Sequence, residues 1–140
     1  MVVTLDIGNA QDIHPAYKQE VGARLAAWAL AKTYGKKVPY SGPVYKSMKV
    51  ENDKIILSFD HADGLVIKEA NGENNFLIAG KDKVFKKASV KVEGEKLIIS
   101  NPEIKHPVAV RYAWSNIVEG TLFNKEGLPA SSFRTDNWDK

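Results

Sequence analysis

Two hydrophobic rhythms follow one another along the chain. From Pro15 to Tyr34 apolar residues recur at helical spacing, with Val21, Leu25, Trp28 and Ala29 on one side and Lys18, Arg24 and Lys32 toward the other. Pro15 suits the first turn, where a missing N–H is no loss, and Gly35 suits the position just past the end. Lys32, Lys36 and Lys37 favour the negative pole of the helix dipole, and the Ala-rich stretch Leu25–Ala31 has high intrinsic propensity. This pattern predicts one amphipathic helix. Before it, Val2-Val3-Thr4-Leu5 is a β-prone run that breaks at Asp6-Ile7-Gly8-Asn9 and predicts a short strand.

After Pro39-Tyr40-Ser41-Gly42-Pro43 the period shortens from helical to strand-like. Val44–Val50 turns at Asn52-Asp53 into Lys54–Phe59, and Asp63-Gly64 precedes Leu65–Lys68. Asn71-Gly72 separates that run from Phe76–Ala79. Val84–Val92 reaches the hairpin signal Glu93-Gly94 and returns as Lys96–Ser100, and Ile104–Trp114 follows, with Pro107 marking an edge or a bulge. The fold class expected is mainly β: an antiparallel β-sandwich of seven to eight short strands, long enough for its own core, preceded by one strand and one α-helix. The tail Asn116–Lys140 has little periodicity, and Leu122-Phe123 and Phe133 are expected to tack it to the sandwich.

Composition removes several function classes. Apolar residues make up 44% and charged residues 26% of the 140 positions, as in ordinary globular domains. The net charge of +3 is spread evenly, with five basic against three acidic residues up to Lys37 and fifteen against fourteen beyond it. Neither part carries a basic stripe for nucleic acid, and Lys83, Lys86 and Lys87 among Asp82, Glu93 and Glu95 read as a solvated face. No apolar run is long enough for a membrane span, and the N-terminus does not read as a charged-then-apolar leader. With no cysteine, disulfides and thiolate metal sites are excluded.

The candidate chemistry sits at the turn Asp12-Ile13-His14-Pro15. A His on a strand-to-helix loop, with an acid two residues before it, is placed like the base of a serine esterase. The same His14 also reads as a residue capping the helix, and Asp12 as a residue bonding the N–H groups of its own loop. No G-x-S-x-G elbow or Gly-Asp-Ser-like segment is present to supply a nucleophile. His61, on a turn, and His106, beside Pro107, read as surface residues. No His pair has the spacing of a helical zinc site, so neither a metal nor another cofactor is expected. Tyr112 and Trp114 alternate on one strand face and are expected in the core rather than as a sugar-stacking platform. Asn71-Gly72-Glu73-Asn74-Asn75 is polar enough to contact a sugar and is equally an ordinary turn.

The run Asp6-Ile7-Gly8-Asn9-Ala10-Gln11-Asp12-Ile13-His14-Pro15, with Lys18 and Leu25-Ala26, resembles the last conserved block of sialate O-acetylesterases, serine esterases of the SGNH hydrolase superfamily. Val110-Arg111-Tyr112-Ala113-Trp114-Ser115-Asn116 and the stretch from Leu122 to Asp136 resemble the C-terminus of the same family. The resemblance implies the C-terminal portion of a longer enzyme. Residues 1–37 would be the remnant of an α/β hydrolase domain whose serine lies upstream, and 38–140 the sandwich domain with its irregular tail. It implies His14 as general base and Asp12 as the acid that orients it. The family usually places that acid three residues before the His, where this chain has Gln11. The partners implied are an O-acetylated sugar, sialic acid or a related glycan, and the upstream hydrolase domain, in a periplasmic or secreted parent. The fragment itself would be inactive and would be able to self-associate through its helix. The other function class is a non-catalytic sandwich that binds glycan or braces a partner domain.

Overall fold

The computed structural model describes residues 1–14 and 16–139. Ten strands in antiparallel pairs form two four-stranded sheets and a two-stranded one, with one helix before them. The first sheet has the order β1 (Val44–Glu51), β2 (Lys54–Asp60), β7 (Lys96–Ser100) and β6 (Ser89–Glu93). The second has the order β10 (Phe133–Arg134), β8 (Pro107–Tyr112), β4 (Phe76–Gly80) and β5 (Phe85–Lys87). A small ribbon pairs β3 (Val66–Ile67) with β9 (Leu122–Phe123). The sandwich read from the sequence is therefore present. Two two-residue strands in the aperiodic tail, β9 and β10, and the division of Val84–Val92 into β5 and β6 account for the larger strand count.

Alternation along the strands builds the core. Ile55, Leu57 and Phe59 of β2 and Leu97 and Ile99 of β7 face Phe76 and Ile78 of β4 and Val110 and Tyr112 of β8, all buried in one cluster. Each such side chain contributes about 1.5–3 kcal/mol on leaving water. Phe133 closes the end of this core, its ring stacked on Tyr45 at 4.9 Å and edge-on to Phe59 at 5.7 Å. The expected tacking of the tail by Leu122, Phe123 and Phe133 is what the structure shows.

Three expectations are corrected here. The run Val84–Val92 is not one strand: at Ala88 the chain leaves the second sheet, where Lys87 pairs with Leu77, and enters the first, where Ser89 pairs with Ser100. Ala88 is buried at this crossing and donates its N–H to the Phe76 carbonyl. Strand β8 ends at Tyr112 because Ala113 adopts a left-handed backbone (φ 48°). Tyr112 lies in the core as expected, but the twist at Ala113 sends Trp114 outward, where 48% of it is exposed and Arg134 lies over its ring. The segment Val2–Leu5 forms no strand among the described residues, because no neighbouring strand in this chain offers it a ladder.

Helix α1 spans Lys18–Lys32, starting later than the pattern suggested; the expected opening at Pro15 lies outside the described residues. Tyr17 precedes it without a capping side-chain bond, as its residue type dictates. At the other end Gly35 takes a left-handed turn (φ 64°), and the Lys36 N–H reaches back to the Leu30 carbonyl at 2.8 Å. No residue of the helix is fully buried. The expected inward stripe is rotated: Val21, Arg24, Ala27, Trp28 and Ala31 are half-buried, whereas Leu25 is 55% exposed. The cause is polar. Arg24 turns inward to hold both carboxylate oxygens of Asp6 at 2.7 Å and the Val3 carbonyl at 2.8 Å.

Candidate functional site

The N-terminal segment is pinned to the sandwich at two points. The Leu5 carbonyl accepts the Gly120 N–H at 3.1 Å, and a Cβ on Gly120 would stand 3.1 Å from that of Leu5, so the small residue permits the approach. Trp28 of α1 meets Tyr40 edge-on at 4.8 Å, and Tyr40 in turn meets His61 at 5.2 Å. A cavity of about 20 Å³, the size of one water, remains between Val2, Val3, Arg24, Trp28, Tyr40 and Pro129. The Asp6–Arg24 pair is partly buried, each side chain 13% exposed, and the hydrogen bonds that Arg24 donates to the Asp6 carboxylate keep the guanidinium more firmly protonated than usual.

From this base the loop runs outward in two tight Asx turns. Asn9 Oδ1 accepts the Gln11 N–H at 2.9 Å, and Asp12 Oδ1 accepts the backbone N–H of His14 at 2.8 Å. Asp12 thus performs the loop-forming role that competed with the triad role in the sequence. Its bond goes to the backbone of His14. Both Asp12 and His14 are exposed.

Beside the loop lies an open cleft of about 680 Å³. Its walls come from four separate parts of the chain: Thr4–Asp6 and Gly8–Ala10 of the loop, Tyr17 before the helix, Asn71 on a sandwich turn, and Asn116–Glu119 after β8. Asn71 (φ 54°) and Gly72 (φ 76°) make the turn left-handed, and Ala70 and Glu73 exchange N–H···O bonds of 3.0 Å across it. Asn75 Nδ2 donates to the Glu119 carbonyl at 2.7 Å and so fixes the far wall. The sequence marked Asn71 as a residue able to touch a sugar but gave no hint of Asn116–Glu119, which sit in the aperiodic tail. Asp12 and His14 do not line the cleft; they stand just past Ala10 on the same loop.

The remaining candidates stay apart from this region or belong to the scaffold. His61 and His106 are exposed, as expected, and no three His, Asp or Glu side chains converge on a metal-holding position among the described residues. Ser131 and Ser132 are half-buried on the tail. The Tyr112 hydroxyl accepts the N–H groups of Thr121 and Leu122 at 2.8 and 2.9 Å. Asn124 ties the Ser41 and His61 carbonyls together, at 2.9 and 3.1 Å. Arg111, lying over the Phe85 ring, forms a two-point pair with Asp136, whose carboxyl is thereby held below its ordinary range.

The described residues thus form a mainly β protein, an antiparallel sandwich with one helix set beside it. No family model matches the chain, and no curated protein does. A solved structure does: a carbohydrate acetylesterase from Xanthomonas citri, 40% identical, with a TM-score of 0.90 over 98% of this chain. The chain spans 32% of that protein's length.

Proposed function

We propose that this chain is the C-terminal portion of a carbohydrate O-acetylesterase of the SGNH type. The observation that carries the reading is the likeness to the Xanthomonas citri acetylesterase, 40% identical and extending over 98% of this chain. In this reading residues 1–37 complete a hydrolase domain that carries the serine, and 38–140 form the sandwich domain. The exposed face of α1 around Leu25 and Leu30 is then covered by that hydrolase domain.

His14 acts as general base. Its ring takes the proton of the serine hydroxyl as the oxygen attacks the acetyl carbonyl, and returns it to the departing sugar oxygen. Asp12 is the positioning residue, holding the loop through the backbone N–H of His14. The substrate is an acetyl ester on a sugar. The test uses the longer protein that contains this chain. His14→Ala should lower kcat by about 10²–10⁴-fold with little change in KM, and Asp12→Asn should cost less than His14→Ala. A His14→Ala variant with near-normal kcat removes the assignment. The 140-residue chain alone should release no nitrophenol from p-nitrophenyl acetate above an unfolded control.

A further inference from the structure

The cleft walled by the Asp6 loop, Asn71 and Asn116–Glu119 has no role in the proton transfers just described, yet it joins the loop that carries His14 to the sandwich. Its volume of about 680 Å³ falls within the range of small-molecule sites. Its chemistry is selective. Asn71 and Asn116 each bring an amide that both donates and accepts, the pairing that a sugar hydroxyl needs, and Asn9, whose Oδ1 already holds the Gln11 N–H, adds its amide donors. Tyr17 and Ile117, 54% and 74% exposed, add apolar surface for the C–H faces of a sugar ring. The charges are one-sided: Asp6, already neutralised by Arg24, and Glu119 line the cleft, and no Lys, Arg or His does among the described residues.

We propose that this cleft binds the sugar portion of the substrate and selects neutral sugars over anionic ones, Glu119 repelling a sugar carboxylate. The proposal rests on the reading that the protein acts on acetylated sugars, and it narrows that substrate class to neutral glycans. The sandwich thereby becomes a specificity element. Asn71 and Asn116 grip hydroxyls, while Glu119 accepts from a hydroxyl and excludes carboxylates.

The test is binding without hydrolysis, so it stands or fails apart from the role of His14. The ¹⁵N-labelled 140-residue chain is titrated with methyl β-glucopyranoside, with N-acetylneuraminic acid, and with the methyl ester of that acid, which replaces the carboxylate by a neutral ester one methyl group larger. The two neutral compounds should shift the side-chain amide signals of Asn71 and Asn116. The acid should bind about fivefold more weakly than its ester at low salt, with the gap closing at high salt. Glu119→Gln should remove that gap. Asn116→Ala and Asn71→Gly, the latter keeping the left-handed backbone, should each weaken binding of the neutral sugars. Neutral sugars that leave these amide signals unmoved overturn the site. An acid that binds as well as its ester overturns the selectivity. Loss of hydrolysis in His14→Ala alongside failed titrations leaves the esterase reading standing and rejects only this one.

Discussion

The sandwich and the segment that precedes it are held by different forces. In the sandwich Ile55, Leu57, Ile78, Leu97 and Ile99 are fully buried, and the hydrophobic effect carries the structure. In the N-terminal segment nothing of α1 is fully buried, and the contacts that place it are few: the Asp6–Arg24 pair, the Leu5–Gly120 hydrogen bond, and Trp28 and Lys32 against Tyr40. An isolated helix of this length is marginal in water, so α1 depends on those contacts. The contrast teaches that one region stores stability in a shared apolar core while the other is held by a few polar and aromatic contacts and has little stability of its own.

The sharpest way to break the comparison is to cut the core. Leu57→Ala removes a fully buried side chain and should destabilise the chain by about 3–4 kcal/mol. Leu25→Ala, at a residue 55% exposed, should stay within about 0.5 kcal/mol. Urea unfolding followed by the sheet signal measures both. Equal effects would mean that the helix is as much a part of the folded core as β2.

Asp136→Asn comes next in size. The Asp136 side chain is 1% exposed and anchors the tail through Arg111, so its loss should cost about 3 kcal/mol by leaving a charge without its partner. The pH dependence follows from the depressed carboxyl. Its hydrogen bonds to Arg111 are the main cause, with smaller help from the Trp138 backbone N–H and the Arg134 charge. The stabilisation is complete above the ordinary carboxylate value of about 3.9 and is lost as pH falls through the lower folded value. In Asp136→Asn that part of the acid-induced loss should vanish. A wild-type and a variant chain with parallel stability curves below pH 4 would contradict it.

Much of the sandwich was legible in the sequence because burial on one face of a strand imposes period two. Ile55, Leu57 and Phe59, or Leu97 and Ile99, announce their face directly. The elements that stayed hidden depend on single backbone or polar events. The left-handed backbone of Ala113 expels Trp114 although the alternation continues through it, and Ala88 carries one apparent strand across two sheets. The helix face was misread for a related reason. A hydrophobic pattern places Arg24 in water, and only the carboxylate of Asp6, distant in sequence, turns it inward. Of the candidate site, the His14 loop was visible from its residue types. The opposing wall at Asn116–Glu119 was not, because an aperiodic segment gives no sign of the surface it will meet.

Arg24→Met sharpens the comparison at the smallest scale. Methionine keeps much of the aliphatic stem but offers no donor to Asp6 or to the Val3 carbonyl. Three charge-assisted hydrogen bonds disappear. Each is worth about 1.5–3 kcal/mol at most, and less here because the pair is only partly buried. The helix is not coupled to the sandwich through a shared apolar core, so this loss should appear as local opening rather than global unfolding. Amide exchange across Leu25–Leu30 should speed up about tenfold or more, equivalent to about 1.4 kcal/mol of local stability, while the urea midpoint of the sheet signal moves little. The loop at Asp12 and His14 should loosen with the helix, because Asp6 anchors its first residues. Should the sheet midpoint fall in step with the helix exchange, the two regions would form one cooperative unit, and the division of labour between them would be wrong.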